Sequence, residues 1–415
     1  MSMQSDLRQN RRICVPFTEG DYMKIINDPI EFRTYLDSMA DQYPEIFPAD
    51  MSSGYKMKDL RPSKKLSIPI RRIEVGGIAY TIRPSYVMPY MTGFVKDAEY
   101  ALFLRKFGVP FWALAYVFGR DAMYWYRIAQ SLGRNSLVGT TVKDPENLPV
   151  HLAADEKHTR LTGKKAYVAT TVAEGCVLGA SIALNAGEDA LSEAYGVFKE
   201  EARNINPDYR PITICIDGWV PTLKAWNYLF PTILVILCFL HIYIKVRDGM
   251  KKKFKDIFFE TASRLWNCFH APSAASFSQR VRRLYEWGKK TSVPLPFMEK
   301  IKKIRNNLAS YTGAYDHPEA HRTSNMIDRL MQRMDHHLFA TQYFHGSLYS
   351  AEMGIRAWAL IFNFAPSNPV TVAKHNGQRS PAERLNQFSY SDNWLENLLI
   401  SASMGGYLPA PPKAL

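Results

Sequence analysis

Residues 211–247 read PITICIDGWVPTLKAWNYLFPTILVILCFLHIYIKVR. Ile212–Ile216 is a short apolar, mostly β-branched run that stops at Asp217-Gly218. An amphipathic segment near Thr222–Tyr228 follows, then a second apolar run, Ile233–Leu237, then Cys238-Phe239-Leu240-His241. A buried strand that delivers one carboxylate at its C-terminal end is a common way to build a polar site beside an α/β sheet. The Cys-x-x-His pair comes one strand later, where the chain passes into a basic helix expected over Phe239–Phe254.

Upstream, Val150–Ala154 reads as a short strand ending in Asp155-Glu156. Ala166–Val172 and Val177–Leu184 are further β-rich runs, split by Glu174-Gly175, and Ala190–Arg203 has helical periodicity. The three strands fit an antiparallel meander whose first strand ends in an acid. Along a strand Glu156 points away from Asp155. Downstream, residues 255–318 are helical and carry Trp266, Trp287 and basic runs at Arg280–Arg283 and Lys300–Arg305. Then comes HRTSNMIDRL, residues 321–330, in which Thr323 or Ser324 is a natural N-cap and Asp328 lies one turn beyond Ser324.

A strand ending in Asp-Gly, a strand followed by Cys-x-x-His, and T-S-N-x-x-D together resemble the core of Mutator-like transposases, which have a ribonuclease-H-like fold. The resemblance covers about Val150–Leu360. It implies the order βββαβαβα, a five-stranded mixed sheet with helices, and a helical insertion before the last catalytic helix. It implies metal-binding catalytic acids at Asp155, Asp217 and Asp328, holding Mg²⁺ or Mn²⁺. The family pattern has glutamate where this chain has Asp328, so Glu352, on the run Ser350–Phe362, competes for that role. Cys238 and His241 are structural or position DNA, with a zinc half-site as the minor alternative; Cys268 and His270 are too tightly spaced for an ordinary knuckle. The partners implied are double-stranded DNA, at element ends and target, and a second or further copy of the chain on that DNA. The function implied is metal-dependent strand cleavage and transfer for an insertion sequence. A nuclease of the same fold, or an inactive DNA-binding descendant, are the alternatives.

The rest of the sequence bears on partners. The 415 residues carry a formal net charge of +13, which favours a polyanion. Five cysteines, several in apolar runs, suggest buried thiols in a reducing cytosol, with nucleoid association following from DNA binding. The one membrane-like stretch, Leu229–Ile244, is too short to span and contains Pro231 and His241, so no membrane is expected. Ile70–Val75 and Ile78–Ile82 flank Gly76-Gly77 as a hairpin. With Lys64, Lys65, Arg71 and Arg72 it either touches DNA or simply packs. Residues 97–133 read as three short helices in a helix-turn-helix-like pattern, the last being Arg120–Ser131. DNA contacts are expected from Arg120 and Arg127 there, and from Lys251 and Lys252 on the basic helix. Ser380-Pro381-Ala382-Glu383 starts a helix in the tail. The division expected is 1–60, an N-terminal segment; 61–149, DNA-binding; 150–254, first part of the core; 255–318, insertion; 319–365, last core helices; 366–415, tail.

Overall fold

The computed structural model describes residues 11–251 and 254–407. The chain opens with β1 (Arg12–Val15), α1 (Glu19–Ile25) and α2 (Pro29–Gln42), followed by β2 (Tyr55–Pro62), β3 (Pro69–Val75) and β4 (Ile78–Pro84). These strands form a four-stranded sheet in the order β1-β4-β3-β2, with β1 parallel to β4 and the rest antiparallel. Gly76 and Gly77 both take positive φ, 54° and 78°, as a two-residue hairpin turn requires. Two of the hairpin's four basic side chains are occupied. Arg71 is buried and donates to the Ile26 carbonyl, and Arg72 pairs with Asp59 at 2.5 Å.

Four helices follow: α3 (Val95–Arg105), α4 (Phe111–Phe118), α5 (Ala122–Leu132) and α6 (Leu137–Thr141). The third expected helix starts two residues late. Asp121 caps α5 by accepting from the Tyr124 amide at 2.9 Å, which leaves Arg120 outside the helix with φ 61°.

The second sheet is built from β5 (His151–Leu161), β6 (Lys164–Ala173), β7 (Cys176–Ala183), α7 (Glu188–Ile205), β8 (Thr213–Ile216), α8 (Val220–Leu229), β9 (Leu234–Leu237) and α9 (Phe239–Met250). Its order is β7-β6-β5-β8-β9. The first three strands form the expected antiparallel meander, and β8 and β9 add in parallel beside β5. The first strand differs from expectation: β5 runs to Leu161, so Asp155 lies mid-strand, because Glu156–Leu161 keep pairing with β6 although five of the six are polar. Helix α9 ends at Met250, short of Phe254.

Four helices occupy the interval after α9: α10 (Lys255–Phe269), α11 (Ala274–Lys290), α12 (Leu295–Asn306) and α13 (Leu308–Thr312). Then come α14 (Asn325–Ala340) and α15 (Leu348–Phe364), and a tail of α16 (Pro369–Lys374), α17 (Pro381–Asn386) and α18 (Trp394–Ser401). The tail helix start is as expected, with Ser380 accepting from the Glu383 amide.

Strand alternation divides the sheet's side chains between two cores. Leu152, Ala154, Ile214 and Ile216 face the cluster shared with α7, α8 and α9. Ala153, Cys215 and Cys238 face the cluster that contains Ile327, Leu330 and Met334 of α14 and most of α15. That second cluster runs without a break into the N-terminal sheet, from Ile13 to Met404. The molecule is thus α/β, with two mixed sheets and a layer of helices on each face of the larger one. No helix among the described residues is long and apolar enough to cross a membrane, and Leu229–Ile244 divides between α8, β9 and α9.

Candidate active site

The last register pair of β5 and β8 is Ala153 with Cys215. Asp155 stands two residues further along β5, and Asp217 two residues beyond Cys215 and one past the end of β8, both by alternation on the face covered by α14. Burial raises the Asp155 carboxyl to about 6; the Glu156 amide, donating to it at 2.8 Å, opposes this, and the negative charges of Asp217 and Asp328 reinforce it. Asp217 accepts from the Trp219 amide at 2.6 Å in the turn leading into α8. Gly218 in that turn has φ 86°, a conformation costly for any residue with a Cβ.

Helix α14 brings the third acid. Ser324 stands at the N-cap position, but its side chain does not cap. Its hydroxyl donates to Asp328 Oδ2 at 2.9 Å instead. Burial raises Asp328, while Ser324 and His241 oppose the shift. The Cys-x-x-His pair meets the same serine. Cys238 Sγ accepts from the Ser324 amide at 3.1 Å and lies 3.2 Å from its hydroxyl, and His241 Nδ1 lies 3.4 Å from that oxygen. The Cys215 thiol, donating from β8, and the His241 ring hold the Cys238 thiol well below its ordinary range. His241 rises to about 8, chiefly through its bond to Cys238, with help from Asp217 and Asp328. The pair therefore supplies a partly positive ring beside three acids and ties the start of α14 to the end of β9.

Glu352, the competitor for the third acid, is elsewhere. It is buried against β7, accepting from Ser181 Oγ at 2.7 Å and the Ile182 amide at 3.3 Å. β7 is two strand spacings from β5, ~10 Å, so Glu352 anchors α15 to the sheet edge.

Two features escaped the sequence reading. Glu156 does point away from Asp155, but into the interior. Its Oε1 accepts from Tyr195 of α7 at 2.7 Å and Thr222 of α8 at 2.5 Å, and burial raises it to about 7. Through Thr222 it fixes the first turn of α8, directly after Asp217. The sequence held a signal: an acid next to a strand-centre acid is forced into the opposite core. The second feature is an aromatic group on the opposite face of the sheet from Asp155, where Trp219 lies 5.8 Å from Tyr167 and 6.4 Å from His158 between ring centroids. Nothing in the spacing of those three residues announces it.

The expected DNA contacts are scattered. Arg127 is exposed on α5, but the opposite face of that helix is buried through Trp125, Ile128, Ala129 and Leu132, and Tyr126 is bonded to Ser350 of α15 at 2.6 Å. Arg120 is exposed beside Tyr124. Lys251 is exposed just past α9, and Lys252 lies outside the described residues.

The donor set has the chemistry that Mg²⁺ or Mn²⁺ selects: three hard carboxylates from three elements, on one face. Among the described residues none of them is in an ion pair with lysine or arginine. Burial is the largest cause of the raised proton affinity of both Asp155 and Asp328. The three nevertheless do not stand as a ready-made shell. No group of three His, Cys, Asp or Glu side chains has metal-holding geometry among the described residues, and each aspartate is held by its own local donor. All five cysteines are free and buried. No family model and no curated protein matches the chain.

Proposed function

We propose that the chain is a ribonuclease-H-like phosphoryl-transfer enzyme acting on DNA, a transposase of the Mutator-like kind. Asp155, Asp217 and Asp328 are its catalytic acids. The observation that carries this reading is that Asp155 and Asp217 each follow the register pair Ala153–Cys215 by two residues, and that the charges of Asp217 and Asp328 both act on Asp155. The sheet order β7-β6-β5-β8-β9 and the four helices of 255–318, standing where the family's insertion would, support it.

Bound at these acids, a pair of divalent ions would supply an activated water or 3′-hydroxyl and would stabilise the leaving oxygen. The chain's own part is positioning. In this reading β5 and the turn after β8 carry the first two carboxylates. Ser324 holds Asp328 by a hydrogen bond, and the Cys238–His241 pair holds Ser324. Imidazolium at His241 offsets part of the negative charge when the site is empty. Arg120, Arg127 and Lys251 offer phosphate contacts.

The test is cleavage of duplex DNA carrying the sequences that flank the gene, with Mg²⁺ or Mn²⁺. Wild type is expected to cut near those ends. Asp155→Asn, Asp217→Asn and Asp328→Asn are expected to lose cutting by a factor of ~10³ or more while still binding the duplex. Binding without cutting by wild type would instead favour the inactive DNA-binding alternative, and cutting without strand joining would favour the nuclease.

A further inference from the structure

Helix α4, FWALAYVF, has no charged side chain. Phe111, Leu114 and Phe118 turn inward. Leu114 is fully buried, the Phe111 ring lies 5.5 Å from that of Tyr126, and Phe118 lies 6.1 Å from Trp125. On the other side Trp112 and Tyr116, one turn apart, are 70% and 87% exposed, and Val117 beside them is 65% exposed. Phe107, 59% exposed, continues the surface across the α3–α4 turn, and Tyr100, 67% exposed, lies two turns before it on α3. The turn itself touches the end of α14: a Cβ on Gly108 would sit 3.4 Å from the Ala340 Cβ, next to Phe339, which is 76% exposed.

We infer that this aromatic face is where two copies of the chain associate, α4 of one packing on α4 of the other about a two-fold axis. Area is the first argument. Five rings at these exposures, with ~150–250 Å² each, present roughly 700 Å². A monomer's exposed apolar patch is usually smaller, and a standard interface takes about 800 Å² from each partner. Charge is the second. Two chains of +13 repel each other, and a face whose central helix is uncharged is where they can approach most cheaply. The same lack of lysine and arginine on α4 argues against a polyanion as occupant. Symmetry is the third. An isologous contact must be complementary to itself, and a helix face without charged side chains meets that condition without any matching of charges.

The inference is independent of the activity proposed above, and its test uses no DNA. Sedimentation of the full chain over a range of micromolar concentrations should give a concentration-dependent dimer. Trp112→Asp and Tyr116→Asp, at exposed positions that leave the circular dichroism spectrum unchanged, should raise the dimer dissociation constant at least ~10-fold. In a separate variant, Tyr116→Cys should cross-link two copies on mild oxidation, whereas Ile30→Cys, 76% exposed on α2, should not; the native thiols are all buried. A wild type that stays monomeric throughout, Asp variants that dimerise undiminished, or equal cross-linking at both cysteine positions would overturn the inference. So would a monomer whose affinity for a single-stranded oligonucleotide falls with Trp112→Asp, since the face would then belong to nucleic acid.

Discussion

The carboxyl of Asp155 links the site to stability. It titrates near 6 in the fold against 3.8 in a free chain, so the folded state holds this proton more tightly than the unfolded one. The stability that the proton confers is complete below about pH 3.8 and is lost as pH rises to about 6. Near neutral pH the metal-free fold therefore carries the penalty of a buried charge beside two others. Asp155→Asn removes that charge. It is expected to stabilise the metal-free protein by on the order of 2 kcal/mol near neutral pH, and by almost nothing near pH 4. Thermal melts at the two pH values check this, and an equal gain at both would tie the effect to packing instead. The choice between Asp328 and Glu352 is made at the same scale. Glu352→Gln weakens two buried hydrogen bonds to β7 and should cost ~1–2 kcal/mol while leaving DNA cleavage intact. Asp328→Asn should do the reverse. Cleavage and denaturant midpoints measured on both variants decide it.

At the scale of elements, α15 ties the end of α5 to α7 and the start of α6. Gly133, just after α5, lies so close to it that a Cβ there would sit 2.0 Å from the Met353 carbonyl oxygen. A contact that short forces backbone to move, so Gly133→Ala should cost several kcal/mol, on the scale of a severe overpacking, and is read as a fall in denaturant midpoint. Arg356 of α15 makes a buried ion pair with Glu201 of α7 at 2.5 Å, and Glu201 also accepts from Ser136 and the amides of Leu137 and Val138 at the start of α6. Arg356→Ala strands that carboxylate and should cost ~3–5 kcal/mol. Elements with a strong period or a turn signal were legible: the Gly76-Gly77 hairpin, the β8 and β9 runs and the three helices after residue 95. The full length of β5 was not, because its second half is almost entirely polar and only the pairing with β6 makes it extended. β1 and β2 were missed for a related reason. β1 is four residues long, and β2 alternates lysine with half-buried side chains at a sheet edge. Ser324 is the N-cap residue as expected, but its hydroxyl bonds Asp328 and not a first-turn amide.

Over the whole molecule, the candidate acids Asp155, Asp217 and Asp328 were singled out from local sequence, although Asp155 lies mid-strand and not at the strand end expected. Their electrostatic coupling, the clamp of Glu156 on α8 and the docking of α5 onto α15 were not, since each joins residues far apart in the chain. That docking also limits the reader role of α5: it offers DNA one exposed arginine, Arg127, with Arg120 beside its cap. Removing both should lower the slope of log affinity against log salt by about 2, without abolishing binding by a chain of +13. Binding measured at several salt concentrations checks this.

The central claim is that β5, β8 and α14 bring three aspartates to one divalent-cation site. Titration of the metal-free protein with Mn²⁺, followed by electron paramagnetic resonance, tests it without DNA or turnover. Wild type should bind Mn²⁺, and Mg²⁺ should displace it. Asp155→Asn, Asp217→Asn and Asp328→Asn should each weaken binding by ~10-fold or more, whereas Glu352→Gln should bind as wild type does. Mn²⁺ binding unchanged in all three aspartate variants, or lost only in Glu352→Gln, would contradict the account.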